Sequence, residues 1–177
     1  MAWEALPSAA IGAAIALSGT LLADVRRDRR VRVRDRDLDR RRYCVEYIVA
    51  MSRAHGALRA IATAGGFPAE LRARAAEAMD PLFVAREQLL ISGTGPLVVA
   101  GEEAFHRLVG IRDAVRVGEP LDSAAYHDAY HAFADAVWRF RMAIRADLRE
   151  PDLTPEDLGR PDWTDRESCS VCGRGSA

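Results

Sequence analysis

The feature that most constrains this 177-residue chain is an abrupt change of composition near residue 24. An uncharged apolar run at residues 6–23 gives way to residues 24–42, which hold ten arginines and five aspartates. An uncharged run of about 18 residues is long enough to cross a bilayer as a helix. Because arginines at one end of a span favour the cytoplasmic side, the sequence predicts a single-pass protein of the cell membrane. Its N-terminus would lie outside and its C-terminal domain in the cytoplasm.

The composition divides the chain into four predicted segments. Residues 1–24 form a transmembrane anchor, and residues 25–42 form an arginine-rich helical stalk without Gly or Pro. Residues 43–150 form an antiparallel helical bundle. Residues 151–177 form a flexible, disordered tail, because they are polar and rich in Pro and Gly. The predicted fold class is therefore all-α.

The charged stretch also predicts partners. Four arginines follow the apolar run directly: Arg26, Arg27, Arg29 and Arg30. Anionic lipid headgroups attract arginines at such positions, and the bilayer itself is the predicted partner of residues 6–23. The interleaved aspartates and the lack of aromatic residues in residues 26–42 disfavour nucleic acid. One alternative stays open for the apolar run, an alanine-rich soluble helix that packs in a bundle or lies on a membrane.

Gly- and Pro-containing breaks at residues 65–68, 92–96 and 118–120 divide the bundle into helices. Asp80-Pro81 predicts a further helix start or a kink inside the second helical region. The first helix has a predicted core-facing stripe: Val45, Ile48, Ser52, His55 and Leu58. The third helix has a corresponding stripe: Leu108, Ile111 and Val115.

The last helix has the clearest pattern in the chain. Asp122-Ser123 is its predicted N-cap, and Pro151 ends it. Apolar and aromatic residues recur in alternating steps of four and three: Tyr126, Tyr130, Phe133, Val137, Phe140 and Ile144. This is a heptad seam, and an aromatic stripe of this kind is typical of a packed core. No segment alternates with period two, so we expect no sheet.

Cys169-Ser-Val-Cys172 is a CxxC motif, and thiolates at this spacing can share a metal or form a redox pair. A structural zinc site needs four ligands, and the sequence contains no second CxxC. His127 and His131 lie four residues apart on the last helix and could complete the set if the tail folds back. The alternatives are an inert tail and histidines that flank the core or face solvent. Zinc is the one cofactor that the sequence suggests.

No other combination of residues indicates chemistry, and we predict that the chain is not an enzyme. Glu103 and His106 match the Glu-x-x-His unit of di-iron bundles, but such sites need the unit twice. Gly93-Thr-Gly95 lacks the preceding strand and the Lys-Ser/Thr ending of a phosphate-binding loop. We interpret Cys44 as a packing residue.

Two stretches, GAAIALSGTLLADVRRDRR and AYHDAYHAFADAVWRFRMAIRADL, carry a resemblance in layout over residues 6–150. The chain resembles small actinobacterial membrane proteins in which an apolar span continues into a charged helix and a helical domain. The resemblance implies a location and an architecture, and it implies no activity.

The function predicted from the whole sequence is a membrane-anchored, non-enzymatic interaction protein. Its bundle would bind a protein partner or a second copy of the chain. Two alternatives remain at this point. One is a metal- or thiol-responsive membrane protein that uses the CxxC motif, and the other is a soluble four-helix binding module.

Overall fold

The computed structural model describes residues 5–160, 162–164, 166 and 169–172, with side chains from Asp24 onward. These residues form five α-helices and one short 3-10 helix, and they contain no strand. The helices are α1 (Ala5–Ala64), α2 (Pro68–Glu77), α3 (Asp80–Ser92), α4 (Gly95–Arg116) and α5 (Ala124–Asp147), with the 3-10 helix at Glu156–Leu158. The prediction of an all-α bundle is confirmed.

The helix boundaries follow from local backbone chemistry. Gly65 and Gly66 end α1 with φ angles of 63° and 148°, in a region of backbone space that favours glycine. Pro81 lies in the first turn of α3, where a missing backbone N–H does no harm. The Ser123 hydroxyl caps α5 by accepting a hydrogen bond from the backbone N–H of Tyr126, at 3.1 Å. The predicted breaks are therefore confirmed.

The chain divides into two compact units, the first ending at Asp39 and the second beginning at Arg40. In the first unit every described side chain, from Asp24 onward, is exposed to solvent. These exposed side chains include four apolar ones: Val25, Val31, Val33 and Leu38. The described part of this unit is therefore a charged, solvated helix.

The predicted membrane location is corrected by the structure. Among the described residues, no helix is both long enough and apolar enough to cross a bilayer. This finding contradicts a single-pass cell-membrane protein with an outside N-terminus and a cytoplasmic domain. The physical reason is that the described side chains of α1 begin with ten arginines and five aspartates over residues 24–42, which leaves no uncharged window of the length that a span needs among them. The predicted span and its bilayer contact, residues 6–23, lie outside the residues whose side chains are described.

The second unit is built around Tyr47, a fully buried residue of α1. Its hydroxyl donates a hydrogen bond to the Gly101 carbonyl of α4 at 3.0 Å. Its ring meets the Phe140 ring of α5 edge-on, with 5.4 Å between the ring centroids. One side chain thus joins three helices, and it satisfies its own polar atom while doing so.

The core-facing stripe of α1 differs from the predicted one by about one residue. Val45 is 59% exposed and Ser52 is exposed, whereas Leu58 is buried as predicted. The observed stripe keeps the steps of three and four: Cys44, Tyr47, Met51, Ala54, Leu58 and Ile61. The interpretation of Cys44 as a packing residue is confirmed.

The predicted stripes of α4 and α5 are confirmed. Leu108, Ile111 and Val115 of α4 are all buried. In the heptad seam of α5, four residues are buried (Tyr126, Phe133, Val137 and Phe140), while Tyr130 and Ile144 are half-buried against the core. The seam therefore fixes how α5 is rotated about its own axis, and this rotation decides where its other side chains point.

Substitution of two α4 glycines tests this packing. A Cβ at Gly101 would overlap the Leu89 side chain and lie 3.3 Å from ring carbons of Phe140 and Tyr47. At Gly110 a Cβ would meet nothing within 4 Å. Gly110→Ala should raise the free energy of unfolding by up to about 1 kcal/mol, because alanine favours helix. The free energy of unfolding of Gly101→Ala should be about 1–3 kcal/mol lower than that of Gly110→Ala, because the added methyl group overpacks the core.

Denaturant unfolding of the two variants beside the unsubstituted chain measures this difference. The helix-propensity gain is common to both substitutions, so the comparison isolates the packing term. Equal stability of the two variants would contradict the described close packing around Gly101.

Candidate metal centre

The rotation of α5 places two histidines beside the core and one turn apart. His127 and His131 each follow a seam residue directly, and their ring centroids are 5.9 Å apart. His131 is 3% exposed and is the one buried charged or polar side chain among the described residues, while His127 is partly exposed. The two imidazoles therefore line the edge of the bundle on one face of the helix.

The chain after α5 returns along this face. Trp163 stacks on Trp138 of α5, with ring centroids 4.5 Å apart and planes 20° from parallel. The guanidinium groups of Arg141 and Arg160 lie over the Trp138 ring, at 4.4 Å and 5.3 Å from its centroid. Flat stacking and cation–π contacts each stabilise such an arrangement by about 0.5–1.5 kcal/mol. The predicted mobility of the tail stays a prediction, and the structure adds this contact with α5.

His131 is oriented by a backbone carbonyl from the returning chain. Its Nδ1 lies 2.6 Å from the Thr164 carbonyl oxygen, and a carbonyl can only accept, so Nδ1 carries the proton. Asp162 fixes Thr164 in turn by accepting hydrogen bonds from its backbone N–H at 2.7 Å and its hydroxyl at 2.9 Å. In the neutral ring Nε2 is then the unprotonated nitrogen, and this atom is buried. This is how metal-ligating histidines are held in proteins.

The CxxC motif lies against the same two histidines. The Cys169 sulfur is 3.1 Å from Nδ1 of His127, although the two residues are 42 positions apart in the chain. One ligand atom from each of His127, His131, Cys169 and Cys172 can be chosen so that all four lie within 4.8 Å of one another. A tetrahedral zinc site needs about 3.3–3.8 Å between ligand atoms, given Zn–S near 2.3 Å and Zn–N near 2.0 Å. Shifts of about 1 Å would therefore close the site.

The two cysteines differ in acidity. The backbone N–H of Cys172 donates to the Cys169 sulfur, and it is the largest of several causes that lower the pKa of Cys169 to about 6. Burial, followed by the interaction with Cys169, raises the pKa of the Cys172 thiol. Burial also raises the pKa of Cys44, to about 11. Of the two, Cys169 is therefore the more readily deprotonated, and the thiolate is the form that binds metals.

An ion pair holds the loop before the motif. The Arg166 guanidinium contacts the Asp128 carboxylate of α5, one residue after His127. The Arg166 carbonyl accepts the backbone N–H of Cys169 at 3.1 Å. Arg166 thus connects the first cysteine to the helix that carries the histidines.

The structure brings all four candidate ligands together, and it does not do so for the di-iron unit. Glu103 pairs with Arg107 at 2.7 Å, and His106 is exposed. Sequence reasoning missed the supporting residues Trp138, Trp163 and Thr164. A tryptophan in an otherwise polar tail was the available signal, because an aromatic ring of that size seldom stays in water without a surface to cover.

Comparison with known proteins identifies no relative of this chain. The chain matches no family model, no curated protein and no solved structure.

Thiol alkylation tests the described environment of the cysteines in metal-free protein. The rate of reaction of Cys169 with iodoacetamide should rise with pH about a midpoint near 6, whereas an ordinary cysteine titrates near 8.5. The sign follows from the thiolate being the nucleophile, so that a lowered pKa brings reactivity to lower pH. Peptide mapping by mass spectrometry assigns the rate to each cysteine.

Cys44 is the internal control, because it is 1% exposed and its pKa is raised. It should stay unmodified over the range in which Cys169 becomes reactive. A Cys169 midpoint near that of an ordinary thiol would contradict the described hydrogen bonding around its sulfur.

Proposed function

We propose that this chain is a zinc-binding helical protein in which a Cys2His2 centre fastens the C-terminal tail to the bundle. One observation carries the proposal. Two imidazoles from α5 and two sulfurs from the tail converge so that their ligand atoms lie within 4.8 Å of one another. In this proposal zinc decides whether the tail is held against α5 or released, so the protein responds to metal.

The donor set supports zinc over other ions. Two thiolates and two imidazoles suit zinc, whereas magnesium and calcium prefer oxygen ligands. Four protein ligands fill a tetrahedral shell and leave no open position for water or substrate. The proposed centre is therefore structural and regulatory rather than catalytic, in line with the prediction that the chain is not an enzyme.

The magnitudes indicate that the metal is the deciding contribution. Ordering roughly ten backbone residues of the tail costs about 10–20 kcal/mol. The Trp138–Trp163 stack returns only about 0.5–1.5 kcal/mol of this. Structural zinc sites contribute about 10–16 kcal/mol at neutral pH, which is the size of the ordering term. Metal binding and tail docking should therefore be tightly linked.

Metal titration of the full chain tests the proposal. We expect the unsubstituted protein to bind zinc stoichiometrically, and cobalt to give the thiolate-to-metal charge-transfer absorption of a tetrahedral site. At zinc concentrations one hundred times the dissociation constant, the free energy of unfolding should rise by about 2.7 kcal/mol. The double variant Cys169→Ser with Cys172→Ser and the single variant His131→Gln should lose both effects, because each removes protein ligands.

His106→Gln is the matched control. It removes an exposed histidine of α4 that lies outside the centre, so zinc stoichiometry and the cobalt spectrum should stay unchanged. Stoichiometric zinc in the double cysteine variant, or none in the unsubstituted chain, would overturn the proposal.

We propose as a second candidate that the bundle associates with a second copy of itself through a groove between α1 and α3. Apolar side chains of both helices line this groove, including Val45, Val49 and Val84. Val84 is 77% exposed, and the neighbouring Ile91 is 82% exposed. Adjacent apolar side chains at this level of exposure mark surfaces that proteins use for association.

Sedimentation velocity over a range of protein concentrations tests the second candidate. The unsubstituted chain should form dimers, and Val84→Glu should shift it to monomers because it places a charge in the groove. Val117→Glu is the control, since Val117 is 75% exposed but lies outside the groove. A monomer at every concentration would contradict self-association through this face.

A further inference from the structure

A cleft of about 370 Å³ lies directly beside the metal centre. It is bounded by α1, by the start of α5 and by the loop between the two cysteines. Its volume falls within the range of about 300–1,000 Å³ that small-molecule sites occupy in proteins. Of the four residues proposed to hold zinc, only His127 also lines the cleft.

Two buried polar atoms on residues of the cleft wall have no partner. The Tyr126 hydroxyl and the His55 Nε2 are both inaccessible to solvent, and neither forms a hydrogen bond within the described part of the chain. Tyr126 is only 4% exposed. His55 is held in place by stacking on Tyr130, with ring centroids 5.5 Å apart. Buried polar atoms are nearly always paired in proteins, so these two indicate a missing partner.

Three side chains on residues of the cleft wall can donate hydrogen bonds. The Tyr126 hydroxyl can donate, and the Arg59 guanidinium carries only donors and has no acidic partner among the described residues. Burial first, and Arg59 second, lower the pKa of His55, so its ring is neutral near pH 7 and donates when Nε2 carries the proton. Such donors, one of them on the positively charged Arg59, can be paired by an acceptor with negative charge. A carboxylate meets this requirement.

The remaining walls set the size and charge of the ligand. Leu121, Val171 and the Tyr130 ring supply apolar surface, which suits a small hydrocarbon or aromatic body. Asp122 lines the same cleft and adds one negative charge, which disfavours a ligand with two carboxylates.

We infer that this cleft binds a small organic monocarboxylate and that zinc, by holding the loop between the cysteines, sets the affinity for it. The second half of this inference rests on the proposed zinc function. Ser170 and Val171 lie between the two cysteines in the chain and line the cleft, so the metal ligands position them. Loss of the metal frees these two residues and removes part of the wall.

Calorimetric titration of the full zinc-loaded chain with benzoate tests the inference. Benzoate should bind at a single saturable site. Tyr126→Phe and Arg59→Gln should each weaken it by about tenfold, the effect of losing one hydrogen bond to a charged group. Arg53→Gln is the matched control, because Arg53 is an exposed arginine of α1 that does not line this cleft, and it should leave the affinity unchanged.

Two further measurements test the ligand class and the link to zinc separately. Benzylamine, which has a similar aromatic body and the opposite charge, should not bind, and tighter binding of benzylamine than of benzoate would overturn the ligand class. Removal of zinc from the unsubstituted chain should weaken benzoate by about tenfold, as the loss of one contact of this strength would. Equal affinity with and without zinc would overturn the link between the sites.

The outcome for zinc itself is measured separately, from metal content. Should the chain take up no zinc, the proposed function fails and the link fails with it, and benzoate titration of the same protein then decides the carboxylate site alone. Absence of benzoate binding to the folded chain, judged by an unchanged helical circular dichroism spectrum, would overturn the carboxylate site.

Discussion

The step of about 100° between successive residues of an α-helix decides which side chains of α5 reach the core and which reach the tail. The seam turns Tyr126, Phe133 and Phe140 inward against α1 and α4. Each residue directly after a seam position is then carried to the flank. His127 and His131 occupy that flank one turn apart. The packing of the core therefore fixes the spacing of the two imidazoles independently of the tail.

The tail supplies the remaining residues around the two histidines of α5. Its aromatic contact at Trp163 brings the chain back onto α5, and the next residue, Thr164, presents the carbonyl that orients His131. The two cysteines follow on the same path, and the loop between them forms a wall of the cleft that Tyr126 also lines. Core packing, the four candidate ligands and the cleft therefore form one connected arrangement.

Much of the fold could be predicted because its signals are local. Glycine at positive φ, proline in a first turn and the serine cap act within a few residues, and the seam of α5 repeats over about five turns. The stripe of α1 was predicted correctly at Leu58 and wrongly at Val45 and Ser52, because its core uses Cys44, Tyr47 and Ala54, which weigh less in a hydropathy pattern than the exposed Val45. The ligand types of the centre were also readable, but the contact between residues 42 positions apart depends on the path of the tail. The membrane location was wrong, since it relied on the apolar run at residues 6–23, whereas no helix of the described residues is long and apolar enough to cross a bilayer.

The most direct test of the central claim is X-ray absorption at the zinc edge on the metal-loaded full chain. The proposed centre predicts two sulfur neighbours near 2.3 Å and two nitrogen neighbours near 2.0 Å, with no further light atom in the first shell. A first shell of oxygen and nitrogen alone would show that zinc binds elsewhere on the surface, and it would contradict a Cys2His2 centre between α5 and the tail.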